Sequence, residues 1–590
     1  MRNKRKIYRV IFADFLNPVS VIIILLSRYS KNIKIIYRTD TRLESSYLRL
    51  LAMFGFKASF AEASLKDGNF KKANELKTRL LKQINISDEF LKISYAFHFW
   101  PHAHAICYAY CLMEKEKQNS LLIWGDNDFG LRDLDPNLAL IEYFWPFSAD
   151  LKRFPVSSLS TGLRGGFLWR TLKTGIKLII KGRAPDEAAE FPVLFVSPDR
   201  TQEKNLYLAE FFLSYPRLNP DSGIIYNDKT VIGSIYQCGW REFWTYLISL
   251  YSFICQPAVY RGLSKRILLQ VVMDFKFYHF FGLYMQKAKI SVLLNNMEGS
   301  SFSIISNWVA RCSDKTISLN YSWSHGYFPE HRCCLNKYAD IYLAWGPHQE
   351  RLVKESAEGN IQCLQVGYPG DKHFSRMRKA ALALVGDSKA LPKIAVFDNV
   401  HGIDHFLHSA SDKSFYRRLG EVFAKTDCLF LVRSKKGAFK GVLEKVKGFK
   451  DNAKTASRVI FFPDKGDAGP GLVADITVCH SLSSLATIAG SWGTRTIIYD
   501  PETQVNPKWL NSNFHVARNS NEFANTLQQL LESDSPARKE PNKIDPFLDG
   551  KAVQRIQYII DRLLETGDAS KSASIQHCLH LYKEFHRGQA

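Results

Sequence analysis

The residues with the clearest chemical potential are three serines in one short segment. Ala474 to Pro501 reads ADITVCHSLSSLATIAGSWGTRTIIYDP. Its order is strand, small polar turn, helix, glycine turn, strand, and Ser481, Ser483 and Ser484 fall where the helix begins. Hydroxyls at such a point meet backbone N–H groups that have no intrahelical acceptor, together with the positive end of the helix dipole. That combination binds anions and suits the phosphates of a nucleotide. The same serines also suit a purely local task, because serine is a favoured helix N-cap. The strand-to-helix context favours the ligand, since open parallel sheets bind ligands at the carboxyl ends of their strands.

Other groupings have the residue types of a metal site without its pattern. His401, His405 and His408 fall at helical spacing, but Gly402 interrupts them and no carboxylate or cysteine is arranged with them in a known metal-site pattern. His98, His102 and His104 lie among aromatic residues beside Pro101 and read as structural. Asp126 and Asp128, in WGDNDFG, have the Asp-x-Asp spacing of metal-dependent transferases. Asp, Asn and Gly also dominate turns, which is the preferred reading. No metal and no cofactor is expected.

The elements that must position the serines are legible from short apolar runs. In the C-terminal part, Ile394–Phe397, Cys428–Val432, Val459–Phe462, Ile476–Cys479 and Thr496–Tyr499 read as strands. Helical stretches at Ser414–Lys425, around Val442–Val446 and at Ser483–Ala489 alternate with them. Strands apolar on both faces, alternating with helices, predict a parallel, doubly wound, Rossmann-like sheet. The middle part repeats the theme. Val193–Val196, Ile290–Leu294, Thr316–Leu319 and Ile341–Ala344 are strand candidates, and Trp240–Phe281, Ser301–Ala310 and Gln349–Glu355 are helical. Nearer the start, Val10–Phe12, Ile33–Tyr37 and Leu121–Trp124 again suggest α/β structure. Helices at Val553–Leu564 and Ile575–Phe585 close the chain.

With the elements placed, the serine segment resembles the nucleotide-binding half of GT-B glycosyltransferases. The similarity is to bacterial capsule, teichoic-acid and related surface-polysaccharide transferases. The matching positions are Asp475, Ser481, Ser483, Ser484, Gly493 and Asp500. The resemblance implies that Ser483 and Ser484 touch the donor phosphate. A second stretch is similar to the inter-domain region of CDP-glycerol-type polymer transferases. It runs from His325-Gly326-Tyr327 through ADIYLAWG (Ala339–Gly346) to QVGYPGD (Gln365–Asp371). Together the matches cover Ser291 to Asp500 and leave the N-terminal half unmatched.

Such a transfer needs a base for the acceptor hydroxyl and positive groups for the leaving phosphate. Glu298, in NNMEGSS between a strand and a helix, is the leading base candidate, against an ordinary exposed loop carboxylate. His325 is the rival base, against a packed histidine in an aromatic loop. Arg433, Lys435 and Lys436 follow the strand Cys428–Val432 and would neutralise phosphate; a solvated charge cluster is the alternative. Related enzymes often carry a proline-containing pair there, which this chain lacks. Asp398 and Asn399, at another strand end, would line the same cleft.

The chain has 590 residues, too many for one hydrophobic core. Three parts are expected: an N-terminal α/β region over 1–184, an acceptor-side Rossmann-like domain over 191–385, and a donor-binding Rossmann-like domain with terminal helices over 391–590. The fold class is therefore α/β, with two Rossmann-like domains facing a cleft and an N-terminal α/β extension. A balance of 79 Lys and Arg against 57 Asp and Glu gives a charge of +22, which points to an anionic partner. Nucleic acid is not favoured, because no zinc-finger, basic-zipper or RNA-binding signature is present. The 11 cysteines show no CxxC pair and read as reduced thiols of a cytoplasmic protein. The apolar run Val19–Leu26 is too short to span a bilayer, so membrane contact would be peripheral, at an anionic surface. The expected function is transfer of a sugar from a nucleotide-activated donor to a growing or lipid-linked surface polysaccharide. A glycerophosphate or polyol-phosphate transferase, a non-catalytic GT-B-like glycan-binding protein, and an epimerase acting on a free nucleotide sugar are the alternatives.

Overall fold

Apolar runs such as Val193–Val196, Ile341–Ala344 and Ile476–His480 are strands buried along their whole length, so no alternation of polar residues is needed in them. The computed structural model describes residues 10–13, 16, 18–26, 30–35, 42–60, 89–95, 120–124, 140–142, 191–196, 215–218, 240–254, 265–296, 301–322, 338–356, 361–386, 391–397, 415, 418–422, 427–433, 458–462, 468–480, 482–501, 505, 507–533, 542–567 and 569–587. The chain forms two compact units. The first comprises residues 1–182, 238–279 and 402–410, and the second comprises 183–237, 280–401 and 411–590. Residues 238–279 lie inside the expected central domain but group with the first unit.

The first unit holds strands β1 (Val10–Ala13), β2 (Asn32–Ile35), β3 (Lys57–Phe60), β4 (Ser120–Trp124) and β5 (Leu140–Glu142). They form a parallel sheet in the order β3-β2-β1-β4-β5. Helices α1 (Pro18–Leu26) and α2 (Arg42–Met53) make the crossovers between β1, β2 and β3. The run Val19–Leu26 is thus a largely apolar helix of the fold: Val21 and Ile24 pack with Ile11, Ile33 and Ile123, while Ile22 and Leu26 are exposed. The unit also takes α3 (Trp240–Ile254) and most of α4 (Lys265–Lys287). Phe90 packs against Phe253, Phe275 and Tyr278, and Ser94 donates a 2.6 Å hydrogen bond to Asp274.

The second unit contains two parallel sheets. The first has β6 (Val193–Val196), β7 (Val292–Asn295), β8 (Ile317–Tyr321), β9 (Ile341–Ala344) and β10 (Gln362–Gln365), arranged in chain order from β6 to β10. Helices α5 (Ser301–Cys312) and α6 (Pro347–Ser356) connect its strands. Helix α7 (Phe374–Val385) leads to the second sheet, formed by β11 (Lys393–Phe397), β12 (Leu429–Arg433), β13 (Val459–Phe461), β14 (Ile476–His480), β15 (Arg495–Tyr499) and β16 (Phe514–Ala517). Its order is β13-β12-β11-β14-β15-β16, all parallel. This is the 3-2-1-4-5-6 order of a doubly wound dinucleotide-type fold. Helices α8 (Gly469–Val473), α9 (Ser484–Trp492) and α10 (Ser520–Glu532) pack on this sheet.

Two last helices, α11 (Ala552–Glu565) and α12 (Lys571–Arg587), leave the second sheet and return to the first. Tyr582 donates to the carbonyl of Gln365 at 2.7 Å, and Tyr215 donates to Asp561 at 2.5 Å. Lys571 pairs with Asp340 at 2.9 Å, and Asp340 also caps the Ser318 N–H. A single hydrophobic cluster runs from Val193 and Leu294 through Trp345 to Phe397, Ala486, Ile556 and Ile560. The two sheets of this unit therefore share one core.

The returning segment is fastened by carboxylates. Asp545 accepts the Tyr368 N–H at 2.8 Å, and Asp371 accepts the Gly550 N–H at 2.8 Å. Burial pushes the Asp371 carboxyl up to about 6, and Asp545 and Asp549 nearby add to the rise. One of its oxygens finds no hydrogen-bond partner among the described residues. A raised carboxyl pKa contributes stability that is present below the unfolded value and lost as pH climbs through the folded value. Asp371→Asn keeps the acceptor for Gly550 and removes the buried charge. The variant is expected to match the parent at pH 4 and to exceed it by about 1–3 kcal/mol at pH 7. His348, held down to about 4 by burial and Arg351, titrates with the opposite sign, but equally in both proteins. Urea unfolding of the pair between pH 4 and 7 measures the difference, and a constant offset would refute the assignment.

Candidate functional site

The order of the second sheet fixes where a ligand belongs. Strand order reverses between β11 and β14, and open α/β sheets bind ligands outside the carboxyl ends at such a point. Phe397 closes β11, and it pairs with Arg433 of β12 on one side and Cys479 of β14 on the other. His480 ends β14, and Ser483 follows as the N-cap residue of α9. The serine turn and Arg433 thus sit at one end of one sheet, with Arg433 two strand spacings, about 10 Å, from Cys479.

Close packing sets the position of the last turn of α9. A Cβ on Gly490 would lie 2.2 Å from the Phe514 ring, and one on Gly471 would lie 2.5 Å from Ala489. Small residues on α8 and α9 therefore let α9 lie against α8, β14 and β15, with Gly490 against the Phe514 ring of β16. Gly493, at φ +111°, ends α9 in a left-handed cap and turns the chain into β15.

Ser483 is buried in extended conformation. Its carbonyl accepts the Thr487 N–H and hydroxyl, both at 2.8 Å, yet its own hydroxyl makes no capping bond. Simple capping, the local alternative for this serine, does not describe it. Its N–H points to the thiol of Cys479, which full burial pushes up to about 12, so that thiol stays protonated. The N–H groups of the first turn of α9 lie beyond and, by helix geometry, have no intrahelical acceptor. Ser484 is partly exposed on that turn. Arg433 is buried at the end of β12. Ser481, Lys435, Asp398 and Asn399 lie outside the described residues, as do Lys436 and the base candidates Glu298 and His325.

Two positions of the resembling motif have structural duties. Asp475 accepts the Lys393 N–H at 2.7 Å, which ties β14 to β11 at their amino ends, away from the turn. Asp500 is buried; it accepts the Val505 N–H at 2.7 Å and pairs with Arg518. Its carboxylate is committed to the loop after β15.

The first sheet of this unit presents polar groups that sequence reading passed over. Asn295 and Asn296 at the end of β7, and Asn320 and Ser322 at the end of β8, are buried. Asn295 donates to Ser303 and Ser306 of α5 at 3.1 and 2.8 Å, and Asn307 donates to Asn320 at 3.3 Å. Trp345 closes β9, donating its indole N–H to Ser322 at 2.8 Å and packing on Tyr368. His480 was also passed over; it lies among Phe415 and Tyr499. Asn at the end of an otherwise apolar strand was the one available signal. Among the described residues no cluster of His, Cys, Asp and Glu has metal-site geometry, and no helix is long and apolar enough to cross a membrane.

No protein-family model matches the chain, and no curated protein matches it. Solved structures do resemble it. A Listeria monocytogenes protein described as a UDP-N-acetylglucosamine 2-epimerase is 11% identical, with 64% of this chain and 98% of that chain covered and a TM-score of 0.43. S. aureus MnaA bound to UDP is 11% identical, with coverage of 63% and 96% and a TM-score of 0.42. The wall teichoic acid polymerase TagF is 12% identical, with coverage of 70% and 99% and a TM-score of 0.36. Likenesses this weak assign no reaction to this chain.

Proposed function

We propose that the chain is a nucleotide-sugar-dependent glycosyltransferase that extends a surface polysaccharide. One observation carries the proposal: a buried serine at the switch point of a 3-2-1-4-5-6 sheet heads a helix without capping it. An N-cap hydroxyl left unspent at a ligand-binding strand end suits a phosphate oxygen. In this reading Ser481, Ser483 and Ser484 hold the donor diphosphate or monophosphate. Arg433 and Lys435 offset its charge as the nucleotide leaves. Asp398 and Asn399 border the nucleotide, and Glu298 or His325 takes the proton of the acceptor hydroxyl. The acceptor is a glycan or lipid-linked chain, met at an anionic membrane surface from the cytoplasmic side.

Calorimetric titration of the purified protein with CMP, CDP, UDP, GDP and TDP tests the reading. One base is expected to bind ahead of the others. In the Ser483→Ala variant that affinity is expected to fall about ten- to a hundredfold, the worth of a hydrogen bond to a charged group. Thermal stability is expected to stay level, whereas loss of a working cap would cost about 1 kcal/mol. A variant that is less stable but binds nucleotide normally would make Ser483 a cap and end the proposal. Incubation with nucleotide sugars and with CDP-glycerol, with and without acceptor, then separates sugar transfer from polyol-phosphate transfer and from epimerisation.

A further inference from the structure

Helix α3 has two unlike faces. Phe243, Tyr246 and Phe253 are buried, with Phe253 stacked on Phe275 at 4.5 Å and Tyr246 against His279. Opposite them, Trp240, Trp244, Ile248 and Tyr251 are 55%, 48%, 68% and 72% exposed. At 100° per residue these four fall within about 80° of arc, a continuous stripe along three turns. Trp240 and Trp244 meet edge to face at 5.5 Å. Large apolar side chains so aligned mark a surface that binds something.

The charge of the same unit identifies the partner. The first unit carries 34 Lys and Arg against 19 Asp and Glu, or +15 of the chain's +22; the second carries 45 against 38, or +7. Two thirds of the excess charge thus falls on well under half of the residues. Trp and Tyr are the side chains that favour the water–lipid boundary, and basic charge favours anionic headgroups. We propose that α3 is a membrane-docking helix. Trp240, Trp244, Ile248 and Tyr251 enter the headgroup–acyl boundary of an anionic bilayer, and the basic first unit holds the protein there. This deepens the membrane-surface part of the function proposed above. Its test reads lipid binding alone, so its failure and the failure of nucleotide binding are distinguishable.

Flotation of the full chain with vesicles is the experiment. Vesicles of phosphatidylcholine with a third phosphatidylglycerol are expected to capture the protein, and pure phosphatidylcholine to capture far less. Binding is expected to weaken as salt rises, because the Debye length shortens. Trp244→Glu with Ile248→Glu is expected to lower the partition coefficient about tenfold or more, as two apolar side chains are withdrawn from lipid. Both residues are exposed, so circular dichroism and the thermal midpoint should be unchanged. If the double variant does lose structure, Trp240→Ser with Tyr251→Ser repeats the measurement. Equal binding to neutral and anionic vesicles, or undiminished binding by the folded variant, overturns the proposal. So does a parent protein that ignores vesicles but dimerises through this stripe, with the variant becoming monomeric.

Discussion

Glu298→Gln is expected to cut transfer by about 10²- to 10⁴-fold while nucleotide affinity stays within about twofold. Glutamine keeps the size and hydrogen bonding of the side chain and cannot take a proton. Glu298 lies between Asn295, the last residue of β7, and Ser301, the first of α5. Those flanks are the carboxyl end of a buried parallel strand and the start of a helix carrying buried Ser303, Ser306 and Asn307. Strand-to-helix links of that kind are where α/β enzymes place working side chains. The effect belongs in kcat, since an acceptor hydroxyl loses its proton only as the new bond forms. His325→Ala is the paired measurement. If it removes activity while Glu298→Gln does not, the imidazole is the base. If both variants transfer at the parental rate with the nucleotide bound, neither side chain is the base.

Trp345→Ala is expected to lower the stability of the second unit by about 3–5 kcal/mol. Trp345 is fully buried, and its ring packs on Tyr368 with centroids 4.5 Å apart. Truncation removes that volume and also strands the Ser322 carbonyl, which the indole N–H satisfies at 2.8 Å. Trp345→Phe separates the two contributions. It retains a ring and loses the donor, so a cost of about 1–3 kcal/mol is expected. The loss should reach the site, because Ser322 ends the strand beside Asn295 and Asn296. Urea unfolding of both variants measures the difference; a loss under about 1.5 kcal/mol for the alanine would mean that the cavity collapses and that Trp345 organises nothing.

Legibility followed the physics of burial. Strands buried on both faces announced themselves: ITVC before the serines became β14, IYLA became β9 and VLFV became β6, each buried along its length. The edge strand β10, QCLQ, was passed over because its outer positions face solvent and its composition is half glutamine. Strand β16, FHVA, was missed for the same reason, with His515 and Val516 only partly covered. The short strands β3 and β5 gave too little apolar sequence to notice. At the site, the position of Ser483 could be read from the strand–turn–helix order, but the failure of its hydroxyl to cap could not. Asp475 and Asp500 show the reverse case: motif positions whose carboxylates are taken up by backbone N–H groups. The grouping of residues 238–279 with the N-terminal region depends on ring packing between segments distant in sequence, such as Phe90 with Phe253. No local pattern reports that.

The return of α11 and α12 to the first sheet sets the order in which the second unit can mature. During synthesis, β6 to β10 emerge long before the helices that complete their hydrophobic cover. Closing contacts across such sequence separations is slow, and uncovered parallel strands are prone to association meanwhile. A fragment ending near residue 540 would therefore free no self-standing half. It would leave Val193, Leu294 and Trp345 of the earlier sheet facing water where Ile556 and Ile560 belong. That unfinished surface needs protection until α11 and α12 have left the ribosome.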